Sequence, residues 1–279
     1  MENKANPPHL SFLSSHLTVN YLISLRANNV LIDTTHKRRL IFEKNPNNEL
    51  ILKRARRQRA DILREPVTHD QLSDPAKTFK LPFPFVYDLL PCRFDVDAQW
   101  QFTYMGREIF KELQKMFESI RRDPRCSAIW LYGTQGYGKS HILASMVCYL
   151  VSKGQKVVYI PDCAECRKDP VRYIRAAMLF AWVEEDNKIY EILELDTLEK
   201  MGDFFEASRD LVFVYDQLNA LETDHNILKW LTRFRLPHKA ILSSSANYES
   251  YLETCHRQSS ERTLSVYGGL TVVSLTENN

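Results

Sequence analysis

Short apolar runs recur along the second half of the chain, separated by longer segments of mixed character. Four of them have the length of a buried strand: 126–132, 156–161, 211–216 and 240–245. Such runs are typical of parallel strands that are covered on both faces. The pattern therefore predicts an α/β fold with a mainly parallel sheet flanked by helices.

Other segments carry periodic patterns. Residues 100–104 alternate aromatic and polar side chains, which predicts a half-buried strand. Apolar residues recur at helical spacing over 109–120, and residues 141–151 hold neither Gly nor Pro, so both segments are predicted to be helices. Residues 81–85 contain two prolines and cannot be helical, which predicts a loop or an interdomain linker.

A phosphate-binding motif lies between the first predicted strand and the helix that follows it. The sequence GTQGYGKS fits G-x-x-x-x-G-K-[ST], the P-loop, whose glycines let backbone N–H groups point at phosphate oxygens. Lys139 is expected to reach the β- and γ-phosphates, and the Ser140 hydroxyl to hold Mg²⁺. The predicted ATP-binding residues are Gly133, Thr134, Gln135, Gly136, Tyr137, Gly138, Lys139, Ser140 and His141.

A carboxylate and an amide at the end of the run 211–216 complete the predicted catalytic set. Asp216 stands where a Walker B carboxylate holds Mg²⁺, so Ser140 and Asp216 are the predicted metal ligands. Gln217 follows where many P-loop ATPases have Glu; its amide cannot accept a proton but can orient a water molecule. Lys139, Asp216 and Gln217 are therefore the predicted catalytic residues. Mg²⁺-dependent ATP hydrolysis and nucleotide-gated binding with negligible turnover both stay open.

Two further pairs of residues have alternative interpretations. Ser244 or Ser245 follows an apolar run and either senses the γ-phosphate or belongs to a Ser-rich turn. Tyr104 or Arg107 either lies near the adenine or belongs to ordinary core packing.

Positive charge concentrates toward the beginning of the chain, although the formal net charge is only +2. Residues 1–125 hold 21 Lys and Arg against 15 Asp and Glu, whereas 126–279 hold 16 against 20. One basic cluster is Lys37, Arg38 and Arg39; the other consists of Lys53, Arg54, Arg56, Arg57 and Arg59. The second predicts a weak nucleic-acid contact or a nuclear localisation signal, and its alternative is a solvated helix face.

Composition favours an intracellular location and no membrane contact. The six cysteines are scattered, as expected of reduced thiols. The chain shows neither a signal-peptide pattern nor an apolar run of membrane-spanning length.

Three segments together resemble a known family. Residues 133–141, 158–163 and 215–220 are similar to the ATPase module of fungal crinkler-type effectors, which are related to retrotransposon hot spot proteins. The resemblance spans approximately residues 96–270, and Asp-Gln-Leu-Asn from Asp216 onward is its most specific part. It implies a P-loop ATPase of the additional-strand type, in which a strand lies between the P-loop and Walker B strands. It also implies action in a nucleus, including a host nucleus reached without a signal peptide.

The resemblance has two departures. The family's ubiquitin-like header with its Leu-Phe-Leu-Ala-Lys motif is not visible in residues 1–95, and no nuclease-like carboxylate–lysine cluster follows the ATPase segment. We therefore predict a basic N-terminal region over 1–95 and a P-loop ATPase domain over 96–279 that lacks an effector domain. A truncated, inactive remnant is the alternative, and the sequence does not identify a protein partner.

Overall fold

Helices and a pair of strands precede the central sheet. The structure is a computed structural model that describes residues 46–87, 90–245 and 261–266. In chain order, the first elements are α1 (Pro46–Arg64), α2 (His69–Ser73), β1 (Thr78–Pro82), β2 (Gln101–Met105) and α3 (Ile109–Arg122). Strands β1 and β2 pair antiparallel, with Phe79 opposite Tyr104. The predicted strand and amphipathic helix are both present, and α3 buries four side chains of the predicted apolar stripe: Phe110, Leu113, Phe117 and Ile120.

The remaining strands form one parallel sheet. They are β3 (Ala128–Gly133), β4 (Lys156–Ile160), β5 (Leu211–Tyr215), β6 (Lys239–Ser245) and β7 (Glu261–Val266). Their order across the sheet is β4-β5-β6-β3-β7, so β6 lies between β3 and β5. All neighbouring strands are parallel, and every residue of β3 and β5 is buried. The predicted α/β class with a mainly parallel sheet is therefore confirmed.

Helices flank this sheet. They are α4 (Lys139–Ser152), α5 (Cys163–Lys168), α6 (Pro170–Ala181), α7 (Asp186–Glu194), α8 (Leu198–Ala207) and α9 (His225–Arg235), with a 3₁₀ turn at Leu218–Leu221. Helix α4 is buried from Ile142 through Val151, because it contacts β4 and β6 on one side and the β1–β2 pair on another. A helix that is apolar all round is suited to such a central position. None of the described helices is both long and apolar enough to cross a membrane.

The proline-containing segment 81–85 is not a linker. Leu81 and Pro82 end β1, and the segment is not helical, as predicted. The linker interpretation is wrong, because Phe83 and Phe85 are completely buried. The Phe83 ring packs against the ring of Phe94, with centroids 4.7 Å apart. The prolines exclude a helix, but the aromatic side chains between them belong to the core.

By its contacts, the chain divides into two compact units, Met1–Glu49 and Leu50–Asn279. The first is described only from residue 46 onward. The domain boundary between residues 95 and 96 stays a prediction and falls within the second unit. Lys37, Arg38 and Arg39 lie outside the described residues.

Candidate functional site

A cavity of about 750 Å³ lies at the carboxyl edge of the parallel sheet. Open α/β sheets bind ligands at this edge, where loops that leave neighbouring strands meet. The cavity is lined by Arg93, residues 135–141, Asp216, Gln217, Asn219, Ser243 and Ser244. The structure thus brings together most of the predicted site residues, which are separated in sequence by some eighty positions.

The glycine loop, residues 133–140, connects β3 to α4 along one wall of the cavity. Gly136 and Gly138 have φ angles of 81° and 78°, which glycine adopts without the strain a Cβ would add. The first N–H groups of a helix have no intrahelical partner, and the helix dipole makes this end positive. The beginning of α4 is therefore suited to an anion.

Lys139 is turned back onto the glycine loop. Its Nζ donates hydrogen bonds to the carbonyl oxygens of Gly133 and Thr134, both at 2.7 Å. Burial lowers the pKa of Lys139, and the nearby Asp216 carboxylate opposes this shift. Gly133 and Thr134 do not line the cavity, and their predicted contact with ATP stays a prediction.

Asp216 is the buried carboxylate of the site. It follows β5 and is only 1% exposed. Its backbone N–H donates to the carbonyl of Ile160, at 2.9 Å, and the Ser243 hydroxyl donates to its Oδ1. The Asp216 Oδ2 accepts no hydrogen bond from any described residue. One oxygen of this carboxylate is therefore satisfied and the other retains its acceptor capacity.

Arg93 reaches this carboxylate and was not predicted from the sequence. Its Nε lies 3.3 Å from Asp216 Oδ2, and its Nη2 lies 3.2 Å from Asp162 Oδ2 and donates to the carbonyl of Pro161. Burial lowers the pKa of Arg93, but the charges of Asp216 and Asp162 outweigh it, so the net shift is upward. No local pattern distinguishes Arg93 from the other arginines of the chain, because its role depends on two carboxylates from distant segments.

Asp162, the second carboxylate, also orders the backbone beside the site. Its Oδ1 accepts hydrogen bonds from the N–H groups of Ala164 and Glu165, at 2.8 and 3.1 Å, and so caps α5. Its Oδ2 faces Arg93. One buried side chain therefore connects the end of β4 to the cation at the cavity wall.

The polar residues after β5 and in β6 complete the cavity. Gln217 has a left-handed backbone, with φ 59°, and its N–H donates to Ser243 Oγ at 3.0 Å. Ser244 Oγ is buried and has no hydrogen-bond partner among the described residues. Ser244, one of the two serines predicted to sense the γ-phosphate, therefore lines the cavity. The structure does not describe the side chain of Ser245, the other candidate. Ser243, which was not predicted, contacts Asp216 directly.

His141 connects the glycine loop to the segment that carries Arg93. Its ring stacks on that of Phe94, with centroids 4.7 Å apart, and meets the ring of Phe102 at 6.0 Å. Burial and the charge of Arg107 lower the pKa of His141, and Asp216 opposes them. The stack fixes the backbone next to Arg93 against the first turn of α4.

Tyr104 and Arg107, the two residues considered for contact with the adenine, lie in different environments. Tyr104 is buried and donates a hydrogen bond from its hydroxyl to the carbonyl of Leu72, at 3.0 Å, so it belongs to the core. Arg107 Nη1 donates to the carbonyl of Tyr137 at 3.0 Å. Neither residue lines the cavity, but Arg107 supports the glycine loop from outside it.

The cations of the second basic cluster, on α1, differ in exposure. Arg59 is largely buried and pairs with Glu184 at 3.1 Å, and Arg54 lies 3.7 Å from the centroid of the Trp100 ring. Arg56 and Arg57 are exposed. Only part of the cluster therefore has its charge at the surface.

Comparison with known proteins gives one partial similarity. The chain matches no protein-family model. It is 30% identical over 88 residues to the chromosomal replication initiator protein DnaA 2 of Protochlamydia amoebophila (strain UWE25). The match covers 30% of this chain and 20% of that protein, so the chain spans about a fifth of the length of this relative.

Proposed function

We propose that the cavity binds a nucleoside triphosphate, ATP, with its phosphates on the glycine loop and the first turn of α4. One observation carries this proposal: the glycine loop, Lys139 and the buried Asp216 converge on one cavity at the carboxyl edge of a parallel sheet. Backbone N–H groups and a lysine ammonium are the donors that polyphosphates require.

The strand order supports a finer assignment, to P-loop ATPases of the additional-strand type. The additional strand in this assignment is β6, which separates β3 from β5. The partial similarity to a chromosomal replication initiator is compatible with a nucleotide-binding module that acts near nucleic acid. Membership of the crinkler-type family and a nuclear location belong to the same proposal.

The residues present fit a magnesium ion beside the phosphates. Ser140 and Asp216 line the same cavity and offer oxygen ligands, which Mg²⁺ prefers. The buried Asp216 Oδ2, which accepts no hydrogen bond from the described residues, has the capacity to bind a cation or its water shell. When bound, the ion would neutralise charge on the phosphate oxygens. Lys139 would exchange the carbonyls of Gly133 and Thr134 for the phosphates.

Equilibrium binding tests the proposal. Isothermal titration calorimetry of the full chain with ATP in the presence of Mg²⁺ is expected to show one saturable site, and ADP is expected to compete for it. An absence of saturable binding would contradict the proposed function.

ATP hydrolysis is a second candidate, favoured by the position of Gln217 in the cavity wall. If its amide only orients water, Gln217→Glu should preserve or raise turnover, because a carboxylate also accepts a proton. The bond from its backbone N–H to Ser243 does not depend on the side chain. Single-turnover hydrolysis and ATP affinity should be measured together, with Gln155→Glu, outside the cavity lining, as the control. Lower turnover at unchanged affinity would show another role for the amide, and no turnover in either protein would favour nucleotide-gated binding.

We also propose a weak, sequence-independent nucleic-acid contact at the exposed part of α1. Arg56→Gln/Arg57→Gln is expected to reduce the slope of log affinity for duplex DNA against log salt by roughly 1 to 2, because each lost phosphate contact removes about one unit. Arg121→Gln/Arg122→Gln, on exposed residues of α3, removes the same charge elsewhere and serves as the control. Equal slopes for the two variants would mean that Arg56 and Arg57 make no specific contribution to DNA binding and belong to a solvated helix face.

The same double variant tests nuclear import. We expect residues 30–70 fused to a reporter to accumulate in nuclei, because the cluster resembles an import signal. Arg56→Gln/Arg57→Gln is expected to reduce this accumulation, as measured by fluorescence microscopy. Unchanged accumulation would mean that these two cations do not form the signal.

A further inference from the structure

Arg93 forms an ion pair with Asp216, the carboxylate that is proposed to hold the magnesium ion. A cation of the protein itself therefore lies beside this carboxylate. Arg93 lies within 3.3 Å of both Asp162 and Asp216, and these carboxylates are only 6% and 1% exposed. Two buried negative charges so close together require a compensating cation. In this structure, the compensating charge comes from the guanidinium.

The contact between Arg93 and Asp216 is ionic without being a hydrogen bond. Arg93 Nε and Asp216 Oδ2 are 3.3 Å apart, yet neither has a hydrogen-bond partner among the described residues. The opposite end of the guanidinium is held more firmly, because Arg93 Nη2 both pairs with Asp162 and donates a hydrogen bond to the Pro161 carbonyl. The bond geometry therefore favours release of the guanidinium from Asp216 before release from the Asp162 side.

Release would require only rotation of the Arg93 side chain. Phe94, the next residue, is 6% exposed and packs against Phe83 and His141, which fixes the backbone at this point. The Arg93 side chain itself is 19% exposed and lines the cavity. A long side chain on a fixed backbone can change its partner without unfolding the segment.

We propose that Arg93 competes with the divalent cation of a bound nucleotide for Asp216, and so sets how strongly nucleotide binding depends on metal. Without metal, Arg93 neutralises Asp216, and the triphosphate does not face an uncompensated carboxylate. With metal, Asp216 exchanges Arg93 for the cation, and Arg93 stays with Asp162. This inference rests on the proposed function and adds to it the means by which one site accepts both metal-free and metal-bound nucleotide.

The test measures the Kd for ATP twice, once in excess EDTA and once in excess Mg²⁺, and takes the ratio of the EDTA value to the Mg²⁺ value. For Arg93→Gln, we expect this ratio to rise about tenfold or more over wild type. Metal-free ATP would meet an unpaired carboxylate, whereas metal-bound ATP would find Asp216 without a competitor. Arg233→Gln removes an arginine that pairs with Asp203 and Glu206 and is not part of the cavity lining, and its ratio should stay unchanged.

Other outcomes would overturn the inference. An equal loss of affinity in both conditions, which leaves the ratio unchanged, would mean that Arg93 contacts the phosphates directly. Wild-type affinity in both conditions would mean that Arg93 is only structural. If Arg93→Gln does not fold, the double variant Arg93→Gln/Asp162→Asn replaces it. This variant removes the Asp162 carboxylate together with the cation, and Asn at position 162 can still cap α5. Its ratio is expected to rise in the same way, and an unchanged ratio there contradicts the proposal. Wild-type protein that binds no ATP would instead contradict the proposed function itself.

Discussion

ATP affinity should fall by at least roughly a hundredfold when Lys139 is replaced by Ala. The ammonium group is expected to donate charge-assisted hydrogen bonds to two phosphates, and such bonds contribute about 1.5–3 kcal/mol each. The free protein should lose little stability, because Lys139 is only half-buried there and one of the two carbonyls that it bonds, that of Thr134, belongs to an exposed residue. Calorimetric ATP titration and thermal unfolding of the same sample measure both quantities.

Lys153→Ala is the matched control. Lys153 follows the same helix at its other end, is exposed, and lies 5.5 Å from the Tyr149 ring. It is expected to bind ATP like the wild type. If Lys139→Ala instead bound ATP with wild-type affinity, this result would contradict the proposal that the glycine loop binds phosphate.

Gly138→Ala should weaken ATP binding by roughly tenfold or more and lower the free energy of unfolding by about 2–3 kcal/mol. About 1–2 kcal/mol comes from placing a Cβ at a φ of 78°, and about a further 1 kcal/mol from crowding. The added Cβ would lie 2.9 Å from Arg107 Nη2, which therefore has to move. Since Arg107 donates to the Tyr137 carbonyl, its movement would change the loop that receives the phosphates.

Gly136→Ala separates these two effects. Gly136 has nearly the same φ, 81°, but a Cβ there would meet nothing within 4 Å. We expect it to lose the stability that the backbone angle causes without moving Arg107, so its ATP affinity should fall less than that of Gly138→Ala. Equal effects of the two variants on ATP affinity, measured by calorimetry, would mean that Arg107 does not support the binding conformation of the loop.

Local patterns were sufficient to predict most of the elements around the cavity. The amphipathic stripe predicted α3, and the apolar run before Asp216 predicted β5, because periodicity and β-branched content act within a few residues. The motif predicted which residues join β3 to α4, since its glycines permit backbone angles that other residues disfavour. Hydrophobicity also indicated a buried parallel sheet.

Patterns failed where a residue's environment comes from distant parts of the chain. Phe83 lies in a proline-containing segment that resembles a linker, and its burial comes from rings of other segments, among them those of Phe94, Phe102 and Tyr159. Among the serines that end β6, local sequence gave no reason to prefer Ser243. The strand register decided it: Tyr215 pairs with Leu242, so the next residues, Asp216 and Ser243, lie beside each other.

The sequence by itself determined the class of fold, the glycine loop and the carboxylate that follows β5, because each depends on the conformational preferences of a short segment. Only the tertiary structure decided that Arg93 lies against Asp162 and Asp216. Such a contact follows from the need of two buried carboxylates for a cation, and charge compensation of this kind depends on distance in space. It leaves no pattern in the order of the residues.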